Sequence, residues 1–295
     1  MSIINNANPG SSIVIVSTID RYLKEQQAKQ ISLESLQQLL RPEALPKSDN
    51  AKPKFKDNLR FWLERGLWQL DNDTYISLPS EHESLSLEAR LINIIVSQTS
   101  TDTFLEGNSV EPFVRYITCL LAQDQYSFAG GTRLTVGSEG NLLAALSQYA
   151  QFKRYPNGNE ASLFLSWAQF LGFVEPDPQG YLLDPTRAIL PYLNRIFSST
   201  SSMSVQTFLN TLAQYLPMFD QGRFVQNLAK YTVETAQPRS EFQLSAALSH
   251  ALLRLELMKK IRLESKSDDQ NALQLYMPVG ITARSVSNIS LRDMT

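Results

Sequence analysis

Three stretches of this chain repeat one pattern, and that repetition constrains the fold more than any other feature. Residues 55–78 (FKDNLRFWLERGLWQLDNDTYISL), 160–185 (EASLFLSWAQFLGFVEPDPQGYLLDP) and 244–278 (LSAALSHALLRLELMKKIRLESKSDDQNALQLYMP) each begin with apolar residues at helical spacing. Each then breaks into a short apolar run, a polar turn and a second apolar run. Spacings of three and four bury one face of a helix, and short runs bounded by turn residues read as strands. A helix feeding a β-hairpin, three times over, predicts a mostly α chain with small β-hairpins, an α+β protein. The copies share pattern alone, so near-identical tandem repeats are not expected.

Punctuation along the chain divides it further. Residues 12–79 read as a unit of their own. Ser11 and Ser12 are placed to cap a helix over 13–27, and Ser32 a second helix, LESLQQLL, that ends near Pro42. Ile31 is a short extended bridge between them. A Pro-punctuated loop leads to a third helix from about Lys54 to Arg65, with Phe55, Leu59, Trp62 and Leu63 on its apolar face. Gly66 suits the helix C-terminus, and residues 67–70 and 74–78 suit a hairpin around Asp71-Asn72-Asp73. The expected division is 1–80, a first unit; 81–140, a helical spacer with a Gly-rich loop; 141–200, a second unit; and 201–295, a third unit. In the third, residues 258–265 and 272–278 are expected to pair around 266–271. The tail, 279–295, is polar and expected to pack loosely.

Composition excludes several classes. With 43% hydrophobic and 19% charged residues over 295 positions, the chain can fill real cores. A single cysteine, Cys119 in YITCLL, rules out an internal disulfide framework and a multi-cysteine zinc site. His82 stands between Glu81 and Glu83 in an expected loop, and His250 lies in an apolar helix, so no metal, cofactor or catalytic site is expected. The Gly-rich stretch 128–141 (FAGGTRLTVGSEGN) lacks both the P-loop Gly-Lys-Ser/Thr ending and a strand-to-helix GxGxxG, so an ordinary loop is expected. A polar N-terminus and the lack of a long apolar run predict a soluble cytoplasmic protein with no membrane span.

Charge singles out one helix. Net charge is −2, but residues 1–80 carry ten Lys/Arg against nine Asp/Glu, 81–200 seven against twelve, and 201–295 ten against eight. Lys52, Lys54, Lys56, Arg60 and Arg65 cluster at the third helix of the first unit. Lys56 and Arg60, four apart, share a face away from Phe55, Leu59 and Trp62. A solvated charged face, part-neutralised by Asp57 and Glu64, is the alternative. The matching helix of the second unit, ASLFLSWAQFL, has no cation, and its Phe164, Trp167 and Phe170 read as core or protein interface. In the third unit Lys259, Lys260 and Arg262 lie on the first hairpin strand, where lysines also serve to protect an exposed sheet edge.

The order helix, bridge, helix, helix, hairpin in residues 12–79, with KFKDNLRFWLERG and WQLDNDTYISL, resembles the winged-helix superfamily. The resemblance implies tandem winged-helix units that bind DNA or assemble with proteins, with the third helix and wing as contacts. By it, Lys52, Lys54, Lys56, Arg60, Arg65, Lys259, Lys260 and Arg262 are the candidate nucleic-acid contacts. The overall style, with FLNTLAQYLPMFDQGRFVQNL following a helical spacer, is similar to accessory subunits of bacterial multi-gene DNA machines. Partners of SMC-like ATPases and components of phage-defence and 7-deazaguanine DNA-modification islands are examples. The expected function is a non-catalytic adaptor that binds duplex DNA weakly and holds a partner ATPase, helicase or nuclease. The alternative is a homodimeric winged-helix transcription regulator acting on its own operator.

Overall fold

The computed structural model describes residues 2–5, 7–25, 31–41, 51–72, 74–79, 84–99, 112–129, 138–152, 154–234, 239–266 and 269–292, with only the backbone at 51–52, 129 and 138–140. It is a mixture of helices and small antiparallel sheets, as the sequence pattern predicts.

The first unit follows its capping signals. Helix α1 (Ile13–Glu25) buries Val16, Ile19 and Leu23 along one face. Strand β1 (Ile31–Ser32) leads into α2 (Leu33–Leu40), whose N-cap Ser32 accepts a hydrogen bond from Ser35 N–H at 3.1 Å. Helix α3 (Ala51–Leu63) starts earlier than expected, because Pro53 falls in the first turn, where its missing N–H costs nothing. Strands β2 (Gln69–Asp71) and β3 (Tyr75–Ser77) form the hairpin, turning through Asn72 at φ 51°.

Next come α4 (Leu87–Ser97), α5 (Pro112–Leu121), β4 (Ser127–Ala129), α6 (Ser138–Tyr149), α7 (Gly158–Phe170), β5 (Val174–Asp177) and β6 (Gly180–Leu183). Helix α7 starts with a reciprocal cap: Asn157 Oδ1 accepts from Glu160 N–H, and Glu160 Oε2 accepts from Asn157 N–H, both at 3.1 Å. The short helices α8 (Thr186–Ile189) and α9 (Leu193–Ile196) lead to β7 (Ser202–Ser204), α10 (Val205–Tyr215), α11 (Arg223–Leu228) and α12 (Ala246–Leu257). Four strands finish the chain: β8 (Ile261–Glu264), β9 (Leu273–Gln274), β10 (Ser285–Val286) and β11 (Asn288–Leu291).

Three sheets then repeat one strand order: β1-β3-β2, β4-β6-β5 and β7-β11-β8. In each, the first strand pairs with the last, which also pairs with the strand that follows the intervening helices. Two helices intervene in the first two sheets, whereas in the third α10, α11 and α12 intervene and β9 and β10 separate β8 from β11. Residues 127–129, inside the stretch expected as a spacer, are thus the bridging strand of the second sheet. The helix ends repeat too. Gly66 (φ 74°), Gly172 (φ 83°) and Lys259 (φ 57°) each stand in the left-handed region just past α3, α7 and α12. Each N–H reaches the carbonyl three residues back, and the next N–H the carbonyl five residues before it, the same double closure three times.

One expectation fails. Residues 258–265 do not pair with 272–278; β8 pairs with β11, in the tail, while β9 pairs with β10. The tail is not loose: Val286 and Ile289 are fully buried. The reason is geometric. The central place in the third sheet requires a strand flanked on both sides, and the serines around Val286 and Ile289 masked that strand's short apolar alternation.

The core is continuous across the three units. Trp62 of α3 and Trp167 of α7 stand 6.1 Å apart between ring centres, and Trp167 Nε1–H donates to the Ser11 carbonyl at 3.2 Å. Arg90 of α4 grips Asp20 of α1 at 2.6 Å, both side chains buried, and Trp68 Nε1–H donates to the same carboxylate at 3.1 Å. Tyr126 O–H donates to the Tyr276 carbonyl at 2.6 Å, and Arg239 reaches Asp124 (2.7 Å), Asp220 (3.0 Å) and the Ala122 carbonyl, locking the second unit to the third.

Candidate nucleic-acid interface

Helix α3 divides its residues between core and solvent. Phe55, Asn58, Leu59, Phe61 and Trp62 are buried, and Lys54, Lys56, Asp57, Arg60 and Glu64 are exposed. Lys56 and Arg60 lie on the outer face, one turn apart. Lys54 is exposed in the first turn but about 200° round the helix from Lys56, at 100° per residue. Among the described residues, no carboxylate pairs with Lys54, Lys56 or Arg60. These cations are free to meet an anion.

Arg65 is placed differently from the sequence expectation. Its guanidinium folds back over the Phe61 ring, 3.5 Å from the centroid, and Nη1 donates to the Phe61 carbonyl at 2.8 Å. It closes the end of α3 instead of extending the cationic face. The side chain of Lys52 lies outside the described residues, as do His82 with its flanking glutamates and residues 130–137 of the Gly-rich loop.

Helices α7 and α12, at the equivalent places in the other two units, present no such surface. Every residue of α7 from Ala161 to Phe170 is buried or half-buried, with Phe164 and Trp167 at 0% exposure. Helix α12 exposes only Arg254 and Leu257, and Arg254 is engaged by the buried Asp184 carboxylate. Beyond it, Lys259 is exposed, Lys260 is half-buried, and Arg262 lies 3.3 Å from Glu264. Nor do lysines seal the edge of β8. Leu263 N–H donates to Glu256 Oε1 at 2.9 Å, and its carbonyl accepts from Arg284 Nη2 at 3.2 Å. The Glu256–Arg284 pair, closed at 2.6 Å, thus stands where a fourth strand would. Burial opposes ionisation of Glu256, but hydrogen bonds from Arg284 and Leu263 outweigh it and hold the carboxyl below its ordinary value.

Sequence reasoning missed a groove beside the α3 cations. About 630 Å³ in volume, it runs between α2, α3 and β2, with Leu33, Leu59, Leu63 and Leu70 as apolar walls. Gln37 and Gln38 line one side, Lys56 and Arg60 the other, and Glu34 and Glu64 complete it. The only signal for it was helical spacing shared between α2 and α3, which says nothing of how far apart two helices stand.

The nucleophile candidates are quiet. Cys119 is fully buried, and burial pushes its thiol well above the ordinary range. His250 is half-buried 3.7 Å from Asp184, which is already held by Arg254, so burial dominates and lowers the imidazole's pKa. Among the described residues, no group of three or more His, Cys, Asp or Glu could hold a metal ion. No described helix is long and apolar enough to cross a membrane.

Among the described residues, fold and site together define an α+β protein in which three small sheets share one strand order and helix α3 presents unpaired cations to solvent. The chain belongs to the DpdG-like family, which matches it over residues 1–269. That membership fits a subunit of a DNA 7-deazaguanine modification system. No curated protein and no solved structure matches the chain.

Proposed function

We propose that this chain is a non-catalytic, tandem winged-helix adaptor of a DNA 7-deazaguanine modification system. Its first unit touches duplex DNA through α3, and its other two units hold the architecture and face a partner protein such as an ATPase, helicase or nuclease. The observation that carries this is the contrast between the three equivalent helices. Lys54, Lys56 and Arg60 of α3 are exposed and unpaired, whereas the faces of α7 and α12 are covered. The repeated strand order supports the winged-helix reading: the first two units run helix, strand, two helices and a hairpin, and the third keeps the same strand order with an extra helix and with β9 and β10 inserted before its last strand. Phosphates attract cations whatever the base sequence, so contact through this face is weakly sequence-selective and salt-sensitive.

The test replaces Lys54, Lys56 and Arg60 with Glu together. Exposed charges contribute little to folding, so the melting temperature should stay close to the parent's. Duplex affinity should fall by about tenfold or more at low salt, as each attraction becomes a repulsion. Lys260→Glu should have a smaller effect. With two or three phosphates neutralised, the log–log salt slope of the parent should be about −2 to −3. A triple variant that binds duplex like the parent would leave a purely protein-binding scaffold.

A further inference from the structure

We infer that the groove between α2, α3 and β2 takes an unstacked nucleotide of the bound DNA, so that this protein prefers duplexes carrying an unpaired base over intact ones. The inference rests on α3 being the DNA contact and extends it to what kind of DNA is chosen.

The lining selects the occupant. Leu33, Leu59, Leu63 and Leu70 offer apolar walls, and Lys56 and Arg60 border the same space together with Glu34 and Glu64. An intact duplex presents charged phosphates outward and keeps the flat apolar faces of its bases stacked inside, so it has nothing to place between leucines. An unstacked nucleotide has both parts in one body: an apolar planar face and, a few bonds away, an anionic phosphate. The groove's volume of about 630 Å³ falls within the ~300–1,000 Å³ typical of small-ligand sites. Gln37 and Gln38 supply amide donors and acceptors at the wall, able to meet the edge of any base without fixing its identity. Because Lys56 and Arg60 serve both the groove and the outer face of α3, phosphate contact and base capture act on one strand.

Energetics set the preference. Pulling a paired base out of a duplex costs free energy, least where the base is mismatched or already unpaired. Removing the apolar face of a free base from water against the leucine walls recovers part of the cost of binding. A bulge therefore gains what an intact duplex must first spend.

The experiment measures fluorescence anisotropy of labelled DNA against the full-length protein at one salt concentration. The probes are a blunt duplex, the same duplex with a single-nucleotide bulge, and a blunt duplex one base pair longer as a charge control. The parent should bind the bulged duplex about fivefold or more tightly than either blunt one. Leu70→Ser removes a wall at a partly exposed hairpin position outside the cation group, and Gln38→Ala removes an exposed amide. Each should keep blunt-duplex affinity within about twofold and bring the bulge preference close to one. Equal binding of bulged and blunt duplexes by the parent overturns the inference while leaving α3 as a duplex contact, and hands the groove to a protein segment. A preference that survives both substitutions also overturns it, because the base is then held elsewhere. Failure to bind any of the three probes overturns the underlying DNA reading instead.

Discussion

Lys259 shows how one residue can fill a conformational position that chemistry would give to glycine. It occupies the left-handed region that Gly66 and Gly172 occupy at the two equivalent helix ends. For an L-residue with a Cβ that conformation costs about 1–2 kcal/mol, and glycine's greater chain entropy returns about 0.5–1 kcal/mol of it. Lys259→Gly should therefore raise the unfolding free energy by roughly 0.5–1 kcal/mol, read from a denaturant titration; a loss of stability would mean the lysine side chain holds something in place. His250 makes a second residue-scale case. Asp184, Arg254 and the Tyr126 ring face it, and burial keeps it neutral. The unfolded chain takes up a proton near pH 6.5 while the folded chain resists, so stability is complete above that pH and declines below it. The melting temperature should drop between pH 7.5 and 5.5, and His250→Gln should flatten that drop. Equal drops in parent and variant would assign the pH dependence to other groups.

At the scale of elements, strand edges decide more than strand composition does. Arg284 and Glu256 cover the outward N–H and carbonyl of Leu263 on β8. Arg284→Ala should uncover that edge and leave Glu256 without its partner. A stability loss of about 1–2 kcal/mol is expected, with concentration-dependent association visible by light scattering. A variant that stays monomeric and equally stable would reduce the pair to an ordinary surface ion pair. This edge also shows where sequence reading stops. The cap at Ser32, the turn at Asn72 and the helix stop at Gly66 were legible, because each depends on residues within a turn of one another. The pairing of β8 with β11 was not, since its partners lie about one domain element apart and compete with a nearer strand of similar apolar content. The fate of Arg65 belongs with it: spacing puts it near the cations, and only the local fold turns it onto Phe61.

The whole molecule behaves as one packed body. Trp167, whose helix was expected to serve as core or interface, touches Trp62 and donates to Ser11 of the first unit. Trp167→Ala should cost ~3–5 kcal/mol, and the loss should be felt by the first and second units together. Unfolding followed by intrinsic fluorescence and by circular dichroism should remain one coincident transition at lower denaturant; two separated transitions would mean the units are energetically independent. At concentrations of denaturant where the variant is still folded, its duplex affinity should match the parent's, because the cations of α3 point away from this contact. The sequence by itself determined the main helices, several of their caps and the first two helix-and-hairpin pairs, since hydrophobic periodicity and capping are local properties of the chain. Only the tertiary structure decided which of three similar helices stays open to solvent, which tail strand completes the third sheet, and that a leucine-walled groove lies beside Lys56 and Arg60. Those outcomes depend on how separate faces meet across the core, and burial against a distant partner leaves no mark on the spacing of the residues it covers.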